Sequence, residues 1–269
     1  MSHEQPFLID WFDLAVAGAL LLIVLALSAW QRLGLGRQVV IGAIRATVQL
    51  VLTGHVLLWI FALDSPYIVI GVLIFMTVVA AITATRRQKG HQHDGRTLAP
   101  ILGFAILTGA VFTLAYVSMA VVHVTPWYSP RYLIPLFGMI IANAMNGAAI
   151  AAERMQSEME ARRGEVEAFL ALGAAPGQAC AEATRKAVTA AMIPAVNALA
   201  IVGIVSLPGM MTGQILAGAS PTLAVRYQLV VVFMLTAATS ITAAITVLLY
   251  RRTFFSAAEQ LLPRNHESA

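Results

Sequence analysis

Few side chains in this 269-residue sequence could do chemistry, and they fall into five groups. His91 and His93, with Asp94 beside them, carry ligand atoms for a divalent metal. They sit in "RRQKGHQHDGR", however, and a Lys- and Arg-rich stretch is a poor setting for a selective cation site. Met210 and Met211 offer thioether sulfurs, which favour soft ions such as Cu(I) and bind iron only weakly; flexible apolar packing is the competing account. Asn143 and Asn146 are three apart, so on a helix they share a face, to bond a neighbouring helix or to line a pathway. Arg45 and Gln49 are four apart and share a face likewise, although Arg45 lies near the end of its apolar run and can snorkel to water. The fifth group is "EAFLALGAAPGQ", Glu167 to Gln178, whose acid head and apolar body suit recognition of another protein. His55 and His123 stand alone, and no Ser/His/Asp set or metalloprotease motif occurs.

These groups are spread through a chain built for lipid. It is 59% hydrophobic and 11% charged, with a mean hydropathy of +0.80, where soluble domains carry about 25% charged residues. A span needs about 20 apolar residues. Seven stretches qualify: 12–30, 39–63, 67–84, 98–122, 132–152, 187–205 and 229–250. Pro194 and Asn197 make the sixth the weakest. Glu4, Asp10 and Asp13 stand where a cleaved leader would carry positive charge, so the first stretch reads as a span. Cys180 is the single cysteine and has no partner for an internal disulfide.

The net charge of +4 does not imply nucleic-acid binding, because the basic residues fall between apolar runs and act as topology signals. Of the 17 Lys and Arg residues, Arg131 and Arg226 lie on one side of the predicted spans and the remaining 15 on the other. The positive-inside rule then places the N-terminus outside and the C-terminus in the cytoplasm, which an odd number of spans requires. The fold class expected is an all-α multi-pass membrane protein with a single permease domain over 1–269: spans one to five in 8–152, a cytoplasmic insert at 153–186, and spans six and seven in 187–252.

In the insert, "ERMQSEMEARRGE" continues span five helically, with Glu158 and Arg162 as a favourable i,i+4 pair. Span and extension together are about 32 residues, or roughly 48 Å, against a hydrocarbon core of about 30 Å. The helix should protrude into the cytoplasm and break at Gly164. A short helix follows, with Val166, Phe169, Leu170 and Gly173 on one apolar face, and Gly173 and Pro176 stop it. Its polar face carries Glu165 and Glu167, which suits docking in a groove of a cytoplasmic partner better than lying on a membrane, where basic residues are favoured. Further on, Pro208, Gly209 and Gly213 predict a broken or re-entrant segment at 206–213, a candidate gate from Ser206 through Met210 and Met211.

Glu167, Ala168 and Gly173 resemble the "EAA" coupling loop of ABC-transporter permeases, although Phe169 replaces the second alanine and the usual I-x-L-P tail is missing. "SLPGMMTGQILAG" (206–218), "GMIIANAMNG" (138–147) and "RATVQLVLTG" (45–54) are similar to the Fet-type iron-export permeases, a family that also includes plant aluminium-tolerance permeases with UDP-glucose as proposed cargo. The resemblance implies a permease of the cell inner membrane that self-associates as a homodimer and works with two copies of an ABC ATPase. ATP and magnesium would be bound by that partner. The chain itself has no G-x-x-x-x-G-K-[ST] loop to cradle a phosphate, and so no cofactor is expected on it. Iron, another metal and a nucleotide-sugar remain as cargoes. An ion-gradient-driven secondary transporter is the alternative from another class, and it would want intramembrane acids, which the predicted span interiors lack.

Overall fold

The computed structural model describes residues 10–63, 65–88, 95–122 and 126–262. Among these every named element is helical, and extended backbone pairs only in two isolated bridges, Val202 with Ser206 and Phe255 with Leu261. The chain divides into two compact units, Met1–Asp64 and Ser65–Ala269.

The first unit holds α1 (Trp11–Gly18), α2 (Leu20–Trp30) and α3 (Gly36–Leu63). Asp10 opens α1 with a capping box, its N–H donating to Asp13 Oδ2 at 3.0 Å. Between α2 and α3 the backbone turns through Arg32 and Gly34, both at positive φ, and Ser28 Oγ accepts from the Leu35 N–H at 3.2 Å.

The second unit holds α4 (Pro66–Arg87), α5 (Gly95–Tyr116) with a π-helical turn at Val117–Val122, and α6 (Pro130–Ala161). Then come α7 (Arg163–Ala171), α8 (Pro176–Ala179), α9 (Ala181–Ile201), α10 (Gly209–Leu216) and α11 (Pro221–Tyr250), which ends in a 3-10 turn at Arg251–Phe254. Proline opens α4, α6, α8 and α11, where its missing N–H would have had no helical partner. The centre of the unit is α6, which packs against α4, α5, α9 and α11. Its buried Phe137, Ile140, Ala144, Ala148, Ala151 and Met155 recur every three or four residues, three of them small alanines that suit close helix packing. Gly147 of α6 faces Thr239 of α11, and Gly109 of α5 faces Thr242. Both glycines let α11 approach closer than any side chain would allow.

Among the described residues six helices are long and apolar enough to cross a membrane: Phe12–Trp30, Gly36–Leu63, Pro66–Arg87, Thr97–Val121, Pro130–Ala161 and Pro221–Phe254. The predicted sixth span is α9, of 21 residues, whose opening turns carry Glu182, Arg185 and Lys186. The protruding helix has the expected length, since α6 runs for 32 residues. Two local expectations are corrected. The break after α6 falls at Arg162, and Gly164 lies inside α7, because the ion pairs described below hold Arg162. The break near 206–213 spans 202–208 instead: α9 stops at Ile201, Gly203 turns at φ +84°, Pro208 caps α10, and Gly213 is helical.

Candidate functional site

Glu158 anchors the insert where α6 ends. Its side chain is buried, yet it meets three cations: Arg154, Arg162 at 3.0 Å and, across to α9, Lys186 at 3.7 Å. Arg162 also pairs with Glu165 at 2.8 Å, and Arg163 with Glu167 at 2.9 Å. These pairs fix the start of α7 against the base of α6 and α9. Burial pushes the Glu158 carboxyl up, but the Arg162 hydrogen bond and the charges of Arg154 and Lys186 outweigh it, so the pKa lies below the ordinary value. Glu158 lies in the extension beyond the apolar 132–152. Its contribution to stability is complete above the ordinary carboxylate value of about 4.3 and is lost as pH falls through the lowered folded value. Glu158→Gln should remove that acid sensitivity and cost about 1–3 kcal/mol at neutral pH. Thermal unfolding at pH 7 and at about pH 3 checks this, and an unchanged midpoint at pH 7 would contradict it.

The helix α7 ends in a Schellman motif. Ala174 N–H donates to Phe169 O and Gly173 N–H to Leu170 O, both at 3.0 Å, with Gly173 at φ +88°. Ala175 then runs extended, Pro176 opens α8, and Gln178 Oε1 accepts from the Ala175 N–H at 3.1 Å. The "GAAPGQ" string is thus a stop, a linker and a restart. The expected apolar face divides. Val166 is 1% exposed and faces the protein's interior, while Phe169 is 45% exposed. Leu172, which sequence reasoning did not single out, is 85% exposed and stands at the tip of the bend. Glu165, Glu167 and Ala168 are exposed beside it, and Leu170 and Pro176 are half-buried.

In the helical bundle, Asn143 and Asn146 line one cavity of 160 Å³ among α6, α9 and α11, together with Pro194, Thr236 and Thr239. Asn143 Nδ2 donates to Met139 O at 3.0 Å, and Asn146 Oδ1 accepts from Arg87 Nη1 at 2.7 Å. The pairing of Asn146 across helices is the structural option raised for it; its place in the cavity wall is the other. Met210 and Met211 are half-buried on α10, which packs on α11, and neither lines this cavity. Ser206 is exposed just before Pro208, and Gly209 opens α10. In the first unit Arg45 and Gln49 are both exposed on α3, and His55 Nδ1 bonds Val51 O at 2.8 Å. His91, His93, Asp94 and His123 lie outside the described residues. Among the described residues no three or more His, Cys, Asp or Glu come together as a metal site.

A polar seam on α11 escaped the sequence reading. Gln228, Thr239, Thr242, Thr246 and Tyr250 are all buried at spacings that place them along one side of the helix. At its end Tyr250 Oη donates to Gln156 Oε1 at 3.0 Å, and Gln156 Nε2 donates to Glu160 Oε1 at 3.0 Å. The signal was present as threonines at helical spacing within an apolar run, where each reads as a tolerated hydroxyl unless its neighbours are known.

The chain is similar to known proteins along nearly its whole length. The profile of UPF0014, described as an uncharacterised protein family, matches residues 11–255. The chain is 38% identical over 255 residues to the UPF0014 membrane protein slr1647 of Synechocystis, covering 94% of this chain and 97% of that one. It is 36% identical to the UPF0014 membrane protein STAR2 of Oryza sativa, over 96% of this chain and 88% of the relative. With the probable iron export permease protein FetB of Escherichia coli it shares 34% identity, over 93% of this chain and 94% of that protein. No solved structure matches.

Proposed function

The chain belongs to the UPF0014 family and is a multi-pass membrane protein, and from that premise we propose that it is the permease subunit of an ABC transporter, driven by a separate ATPase. One observation carries the reading: a 32-residue helix, longer than a hydrocarbon core of about 30 Å requires, ends in a short helix held by ion pairs, whose Gly173 bend presents Leu172 and Phe169 bare. Exposed leucine and phenylalanine at a rigid cytoplasmic tip call for a covering protein. The basic asymmetry supports an orientation with that tip inside, and the likeness to FetB supports the inner membrane as its site. A homodimer fits the architecture, since one such chain makes half of a pathway.

Iron export is the leading function, from the likeness to FetB. Cells that express the protein and its ATPase should hold less iron under iron overload than cells lacking either, with total metal content as the readout. Equal iron contents would overturn the cargo and leave the coupling reading standing. One observation favours a second cargo class. The cavity wall is mostly apolar, and its polar side chains, Asn143, Asn146, Thr236 and Thr239, are amides and hydroxyls. A mostly apolar wall with a few neutral hydrogen-bonding groups suits an organic solute, such as a nucleotide-sugar, over a bare cation. The segment from Ser206 through Met211 remains the proposed gate, with the break at 202–208 overlapping its start. Orientation is checked by single cysteines at Leu172 and Trp127 in a Cys180→Ala background, which should label from opposite faces; labelling from one face would refute it.

A further inference from the structure

We propose that the turn at 254–262 is a second part of the ATPase-docking surface, and that the groove between this turn and α7 receives a lysine or arginine side chain of the ATPase. The inference rests on the coupling reading above. After α11 the chain doubles back, with Ser256 N–H donating to Gln260 O at 2.8 Å and Leu262 N–H to Phe254 O at 2.9 Å. Arg163, already paired with Glu167, donates from Nη2 to Leu262 O at 3.0 Å and so moors the turn on α7. Between the two lies a groove of 540 Å³, lined on one side by Glu167, Leu170 and Gly173 and on the other by Ala258, Glu259 and Leu261.

Glu167, Leu170 and Gly173 belong to the coupling segment as well, so a protein that covers Leu172 borders the groove. Among the described residues two carboxylates line it and no basic residue does. Arg163 offsets one of them at Glu167, which leaves the exposed Glu259 to give the groove its negative charge. A basic side chain matches this lining, with its apolar stem against Leu170 and Leu261 and its charged head toward Glu259. Glu259 also sits at φ +59°, a conformation that glycine adopts without strain. Glu259→Gly therefore removes the carboxylate while easing the backbone, and a loss of binding in that variant does not report a damaged turn.

The test places the photo-crosslinking residue p-benzoylphenylalanine at Leu172 or at Ala258 of the full chain in its native membrane. Both positions should capture the same protein, identified by a G-x-x-x-x-G-K-[ST] sequence. Glu259→Gly should lower capture from Leu172 about three- to tenfold and Glu259→Lys further, with the deficit of the Gly variant shrinking as salt rises. Capture of the ATPase from Leu172 alone, unmoved by Glu259→Gly, would overturn the role of the turn and leave the coupling reading intact. Capture of no ATPase from either position would overturn both.

Discussion

Gly173→Trp leaves the protein in the membrane and abolishes stimulation of its ATPase. The residue sits at φ +88° as the C′ position of a Schellman motif, where a side chain other than glycine or asparagine costs about 1–2 kcal/mol. A Cβ at Gly173 would meet nothing within 4 Å in this chain. Backbone strain and obstruction of the partner can therefore be separated by a series. Gly173→Asn tolerates the left-handed backbone and should retain most of the coupling. Gly173→Ala should lose several-fold in stimulation through φ alone. Gly173→Trp adds bulk next to Leu172, on the surface proposed for the ATPase, and should reduce stimulation to background. ATPase activity of the reconstituted complex gives the readout, and normal stimulation by the tryptophan variant would remove this segment from the coupling interface.

Gly147→Ala lowers the thermal midpoint, and Thr239→Ser restores it. A Cβ on Gly147 would stand 2.7 Å from Thr239 Cγ2, well inside van der Waals contact, so α6 and α11 must separate along the seam that also bounds the asparagine cavity. Overpacking of this kind costs about 1–3 kcal/mol. Serine at 239 deletes the offending methyl and keeps the hydroxyl that donates to Leu235 O at 2.9 Å. The two substitutions should therefore couple strongly in a double-mutant cycle. Additive losses in the double variant would mean that this contact does not set the helix spacing.

Much of the architecture is legible in the chain because its causes are local. Apolar runs of span length and the stop at Gly173 act within a few residues. Six of the seven predicted spans recur as membrane-length helices, the exception being the sixth, α9, with its charged opening turns. The helix α7 ends before Gly173 as expected. The continuation of α6 past Ala152 follows equally from a stretch without proline. The break at Arg162 in place of Gly164 was not legible, because a glycine inside a helix costs about 1 kcal/mol and ion pairs on both sides of Arg162 decide where the axis turns. Tertiary structure alone decided which faces meet. Val166 turns inward while Leu172 stays bare, Arg87 finds Asn146 59 residues on, and Arg163 reaches Leu262 across 99 residues. The alternatives at each position share one hydropathy and one periodicity. Only the close approach of helices at Gly109 and Gly147, and of the 254–262 turn to α7, selects among them, because side-chain contacts across such distances leave no trace in local spacing.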